Sequence, residues 1–150
     1  MEQYALYVLL KNIIKDINNK YTVSFNDMDF NKENSVGIYI RGGEVSQYRD
    51  ISTGRYYNYV SRVQFLLQGG KTVNSLYDVL SLASELRDRL IILNNTNHSI
   101  VADNKIIKDN LTIDLGLVKL LGDVNFTEKT SQGLPKYSIN FKINYIIKED

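Results

Sequence analysis

The sequence predicts an α+β fold: a mostly antiparallel or mixed sheet with two helices packed on one face, in a single domain over residues 1–150. Three stretches carry this expectation. Tyr56–Gln68 alternates, with Tyr57, Tyr59, Val63, Phe65 and Leu67 on one parity and Asn58, Arg62 and Gln64 on the other, the period of a half-buried strand. After Gly69-Gly70 the period switches to 3.6: Leu76, Val79, Leu80, Ala83, Leu86, Leu90 and Leu93 fall on one helical face, opposite Asn74, Asp78, Ser81, Glu85 and Asp88. A helix of about twenty residues is about 30 Å long and can cross a small sheet. Tyr137, Ile139, Phe141, Ile143, Tyr145 and Ile147 then alternate with Ser138, Asn140, Lys142 and Asn144. One face of that strand is apolar and the other wet, as in an antiparallel sheet covered on one side.

The remaining elements follow in chain order. Gln3–Ile17 reads as a helix, with Leu6, Leu10, Ile13, Ile14 and Ile17 on one side. Asn18-Asn19-Lys20 is its expected stop, since Asn tolerates the left-handed conformation that ends helices. Tyr21–Phe25 alternates as a short strand, Asn26–Asn34 is a polar loop, and Val36–Arg41 alternates again before Gly42-Gly43. Glu44–Arg55 is polar with little periodicity. A connection of about a dozen structureless residues is long for a compact domain, and is either a functional loop or a hairpin tip. Beyond the long helix, Asn94–His98 reads as a loop and Ser99–Asn110 holds one short strand. Leu111–Leu121 is a strand on the strength of Thr112, Ile113 and Val118, and Glu128–Pro135 is a turn cluster. Helices on one face of such a sheet give two layers.

Composition excludes several classes. A chain of 150 residues buries about two thirds of its unfolded surface. The net charge of +1 supplies no broad basic field, which argues against a nucleic-acid binder held by phosphate contacts. With no cysteine, disulfides, thiolate zinc sites and cysteine nucleophiles are excluded. The N-terminus lacks the pattern of a secretory signal, and no apolar run approaches the roughly 20 residues that span a bilayer.

Four motifs invite a chemical reading. Gly69-Gly70-Lys71-Thr72, between strand and helix, has the context of a phosphate loop. The full pattern needs glycine five positions before Gly70, where Phe65 stands inside an unbroken strand. Asp27-Met28-Asp29-Phe30-Asn31 mimics the opening of a calcium loop, but Lys32 replaces the required glycine and Ile38 the bidentate glutamate. His98 is the only histidine, too few for a zinc site or a histidine-based triad, and is expected in solvent. Arg87 projects toward the apolar side of the long helix, which suits either snorkelling or, as the sharper alternative, a buried ion pair or a subunit contact. No catalytic, cofactor-binding or metal-binding residue is expected, and the chain reads as no enzyme.

Tyrosine is abundant, with eleven residues and no tryptophan. Tyr56, Tyr57 and Tyr59 place rings on both faces of one strand, and tyrosine is enriched at protein interfaces. The expected interface residues are Tyr48, Arg49, Asp50, Arg55 and Tyr56.

Val36–Gly43, the polar segment with Tyr48-Arg49-Asp50, the tyrosine-rich strand, the long helix, then Leu120-Leu121-Gly122-Asp123 and Tyr137–Ile143 form a pattern. It resembles the tail terminator (minor capsid) proteins of long-tailed phages, over roughly Val36 to Ile147. The resemblance implies an α+β subunit that assembles as a hexameric ring on the finished tail tube, stops tube growth and mediates head–tail joining. The implied partners are further copies of the chain, the tail tube protein and a head-completion or connector protein, without a membrane and without specific nucleic-acid binding, though DNA passes through such a ring. The implied location is the tail–head junction of the virion, after assembly in the bacterial host cytoplasm. Two rival readings stand beside it: a small ligand- or nucleotide-binding domain using Gly70-Lys71-Thr72, and another head–tail connector or tube subunit.

Overall fold

A computed structural model of the chain describes residues 2–43, 45–50, 54–100, 110–129 and 133–149, with 46–50, 54–57, 127–129 and 149 described by backbone alone. Helix α1 (Glu2–Ile17) buries Ala5, Leu6, Tyr7, Val8, Leu9, Leu10 and Ile14, six of them consecutive, so its first half is covered well beyond a single apolar stripe. It stops at Asn18, but not through a left-handed residue. The Asn18 Oδ1 accepts from the Lys20 N–H at 3.2 Å, so the side chain turns the backbone locally.

Among the described residues eight strands follow: β1 (Thr22–Phe25), β2 (Ser35–Arg41), β3 (Val45–Asp50), β4 (Gly54–Gln68), β5 (Asn97–Ile100), β6 (Leu111–Leu120), β7 (Asn125–Lys129) and β8 (Pro135–Glu149), with helix α2 (Val73–Ile91) between β4 and β5. They form one sheet in the order β1-β2-β4-β8-β6-β5, with β3 beside β4 and β7 beside β8. Among the described residues only β1–β2 is parallel; the other pairs are antiparallel. The architecture is therefore α+β with a mixed sheet, and both helices pack on the same face of it.

The core lies between helices and sheet. Val36 and Ile38, Val63, Phe65 and Leu67, Ile113 and Leu115, and Ile139, Phe141 and Ile143 are all buried there. They share one parity through the strand registers: Ile38 faces Phe65, Phe65 faces Ile139, and Val63 faces Phe141. The Phe65 and Phe141 rings meet edge-on with centroids 6.1 Å apart, a favoured aromatic geometry. Helix α2 begins at an N-cap, Thr72, whose hydroxyl accepts from the Ser75 N–H at 3.1 Å. It buries Val79, Leu82, Ala83, Leu86 and Leu90. Leu82, three residues after Val79 and four before Leu86, belongs to this face, whereas Leu80, which the sequence pattern places on the stripe, is only half-buried.

Three sequence expectations are corrected. Glu44–Arg55 is not structureless: Val45–Asp50 forms β3, and β4 already begins at Gly54. Its ladder rests on backbone pairing, which leaves no apolar alternation in the sequence. Strand β5 starts at Asn97, inside the expected Asn94–His98 loop. The turn there is short because Asn95, at φ 56°, takes the left-handed conformation that Asn tolerates. Helix α2 ends at Ile91, two residues before Leu93.

Replacing Leu86, fully buried under α2, with alanine is expected to destabilise the fold by about 2–5 kcal/mol. At roughly 2–4 °C per kcal/mol for a chain of this size, calorimetry should show a clear drop in Tm; an unchanged Tm would place α2 outside the core. Stability should also fall in alkali. Burial pushes the Tyr145 hydroxyl up to about 12, outweighing the opposing effect of its Ser61 hydrogen bond. Burial, then the Asp78 carboxylate, raises Tyr21 as well. Both folded-state values lie above the ordinary value of about 10, so their contribution is complete below pH 10 and is lost as pH rises through the folded-state values, that of Tyr145 before that of Tyr21. The urea midpoint should hold to about pH 10 and then fall, with a shallower fall in Tyr21→Phe/Tyr145→Phe; an equal fall in that double variant would refute the assignment.

Candidate functional site

The β3–β4 ribbon is built by a break that requires glycine. Strand β2 ends with Arg41 opposite Arg62, and β3 resumes on the same edge of β4 with Val45 opposite Tyr59. The chain advances from 41 to 45 while its partner retreats only from 62 to 59, leaving one extra residue, as in a β-bulge. A Cβ on Gly43 would stand 2.1 Å from the Val60 carbonyl oxygen, so no other residue fits there without a shift. Beyond this point the register sets Tyr48 opposite Tyr56, Arg49 opposite Arg55 and Asp50 opposite Gly54. All five expected interface residues thus fall at one end of one ribbon. Among the described residues, Gly54–Tyr57 pair with β3 alone, because the β4–β8 ladder begins at Asn58 opposite Ile146.

The Gly69–Thr72 turn is occupied by the protein's own groups. Gly69 and Gly70 are buried; a Cβ on Gly70 would come 2.7 Å from the Ser75 hydroxyl, and one on Gly69 3.0 Å from Val79. Both glycines are there for close strand–helix packing. The Glu33 carboxylate accepts from the Lys71 N–H at 2.8 Å, so a negative group already holds a donor that a phosphate would need. In the Asp27–Asn31 segment each carboxylate turns backbone: Asp27 accepts from the Met28 N–H and Asp29 from the Asn31 N–H, both at 2.9 Å. Met28 is buried against the space left by Gly37, and the Gln68 amide donates to the carbonyls of Phe30 and Lys32 at 3.0 and 2.7 Å. The loop is a plug over one end of the sheet. Among the described residues no group of three or more His, Asp or Glu side chains could hold a metal ion, and no helix is long and apolar enough to cross a membrane.

His98 is half-buried rather than in solvent. Its Nε2 lies 2.8 Å from the Thr96 hydroxyl, and burial lowers its pKa, so it stays neutral near pH 7. Arg87 is a surface strap: it donates to Asp123 at 2.8 Å and to Asp88 at 3.1 Å. The Asp123 carboxylate also accepts from the Val124 N–H at 2.7 Å, and these bonds, Arg87 first, hold its pKa down. Gly122-Asp123 therefore closes the turn before β7, with Gly122 at φ 90°, and ties it to α2.

No protein-family model matches the chain, and no curated protein matches it.

The site that sequence periodicity leaves unseen lies on the sheet face away from the helices. Arg41 stands opposite Arg62, Arg62 opposite Lys142, and Lys142 opposite Lys119, so four exposed cations cross β2, β4, β8 and β6 in one line. Beside them run Tyr39, Gln64 and Asn140, also in register. A concavity of about 360 Å³ opens where the two lines meet, lined by Tyr39, Arg41, Arg62, Gln64, Leu121 and Asn140. The wet parities of the separate strands contain these residues, but only the pairing aligns them.

The occupied Gly70-Lys71-Thr72 turn makes a nucleotide prediction. Titration calorimetry with magnesium nucleotides should show no saturable heat for the wild-type chain or for Lys71→Ala. A micromolar affinity that Lys71→Ala abolishes would restore the ligand-binding reading.

Proposed function

We propose that the chain is the ring-forming subunit of a phage tail terminator, capping the tail tube and joining tail to head. The β3–β4 ribbon carries this reading. Its outer end, Gly54–Tyr57 with Tyr48–Asp50, has two strands and no third among the described residues, and β3 packs substantially against β4 alone. A two-stranded ribbon is marginal in water, and docking on a neighbouring copy supplies the missing contact. An arm that meets a different surface on the next copy makes a heterologous contact, which closes into a ring when the rotation allows. Tyrosine and arginine, the residue types that anchor interfaces, recur at its paired positions Tyr48–Tyr56 and Arg49–Arg55. The two-layer α+β fold agrees with the family that the sequence resembles. On this reading the chain acts by binding and needs no catalytic group, cofactor or metal, and its place is the head–tail junction of the virion.

Light scattering and negative-stain microscopy of Tyr48→Ala/Arg49→Ala test the arm. The double variant should keep its Tm within about 2 °C, as surface changes away from a core do, while ring formation and tail attachment are lost. Unfolding of the variant would make the ribbon core structure instead. An amber mutant of the gene should yield filled heads and free tails of overlong tube without joined particles. Normal-length unattached tails would indicate a connector, absence of any tube would indicate a tube or initiator subunit, and intact infectious particles would end the virion reading.

A further inference from the structure

We propose that the open face of the sheet binds the phosphate backbone of double-helical nucleic acid across Arg41, Arg62, Lys142 and Lys119. The proposal stands whether or not the subunits form a ring.

Like charges directly opposite each other in a sheet destabilise it, and here three successive cross-strand pairs are cation on cation. Among the described residues no carboxylate pairs with any of the four. Acids that pair among the described residues are engaged elsewhere: Asp78 with Lys20, Asp114 with Lys148, Asp123 and Asp88 with Arg87, and Asp16 and Glu85 with Arg89. An uncompensated row of this kind is relieved by an external polyanion. Neighbouring strands are about 4.8 Å apart, so the row spans about 14 Å. A duplex presents one phosphate charge per about 1.7 Å of its axis, enough to meet every member of the row.

The flanking residues fit the same ligand. Tyr39, Gln64 and Asn140 bring a hydroxyl and two amides alongside the cations, the neutral donors that commonly supplement Arg and Lys on phosphates. Leu121 ends the second line as an aliphatic side chain, but the row itself is Arg and Lys throughout, whereas the centre of a protein interface is depleted in Lys and built on apolar anchors. Tyr39 is the only ring in the two lines, too little for the stacked platforms of single-strand binders. Recognition is thus of backbone charge, independent of sequence. The net charge of +1 hides this because it averages the row with acids placed elsewhere.

Fluorescence anisotropy with 30-base-pair duplexes of arbitrary sequence, as DNA and as RNA, tests the proposal on the full chain. Wild-type protein should bind with an affinity that falls with salt at a log–log slope of about −2 to −3.6, for two to four phosphates neutralised. Arg62→Glu/Lys142→Glu should bind at least 30-fold more weakly, while Lys11→Glu/Lys71→Glu, with the same change in net charge, should lose less than threefold. If the glutamates impair folding, as judged by Tm, Arg62→Gln/Lys142→Gln should still lose binding, and Arg62→Lys/Lys142→Arg should retain it. The ratio of DNA to RNA affinity identifies the natural duplex, and binding of either supports the site. Absence of binding to both, or equal losses in the row variant and the charge-matched control, overturns it. Preferential binding of polyglutamate over both duplexes also overturns it and gives the face to an acidic protein partner.

Discussion

Everything in this fold depends on the antiparallel ladder between β4 and β8, which runs from Asn58–Ile146 to Gln68–Lys136. These two strands lie at the centre of the sheet, with β2 and β3 on the far edge of β4 and β6 and β7 on the far edge of β8. Their register sets the parity of the whole sheet. Val63, Phe65 and Leu67 meet Phe141, Ile139 and Tyr137 beneath the helices, while Arg62 and Gln64 meet Lys142 and Asn140 on the open face. A slip of one residue would send every apolar side chain to water. The ladder that builds the core is therefore also the ladder that lines up the cations.

The two layers are held in place by a few side chains that bond backbone at turns. Gln68 carries the Asp27–Asn34 loop over the end of the sheet through the Phe30 and Lys32 carbonyls. The Asn94 side-chain Oδ1 accepts from the Val118 N–H, and the Asn95 N–H donates to the Gly116 carbonyl, so the end of α2 is stitched to the bulge between Leu115 and Val118 in β6. Asp123 strings Arg87 to its own turn. Exposed ion pairs add little to stability, and Arg87–Asp123 serves more to orient the β6–β7 corner against the helix. Motifs that look chemical in the sequence are largely of this structural kind. The Asp27–Asn31 carboxylates cap backbone, and the Gly69-Gly70 pair admits Ser75 and Val79.

Sequence by itself determined the layers. Period-two alternation in Tyr56–Gln68 and Tyr137–Ile147, and period 3.6 after Val73, follow from which side chains must leave water, and burial acts on each segment separately. That is why α1, α2, β2, β4, β6 and β8 are legible from the residues alone. The tertiary structure decided what depends on pairing. Strand β3 carries no apolar alternation in its sequence and is paired along the edge of β4, so Glu44–Arg55 looks structureless in one dimension. Leu80 and Leu82 both stand three residues from a buried neighbour in α2, and only the placement of the helix on α1 and the sheet buries Leu82 and leaves Leu80 half-exposed. Tyr48 and Tyr56, eight positions apart, become partners only through the hairpin register. The row Arg41, Arg62, Lys142 and Lys119 draws one residue from each of four strands; charge is summed along a sequence, but it acts through space, and only the register sets those distances.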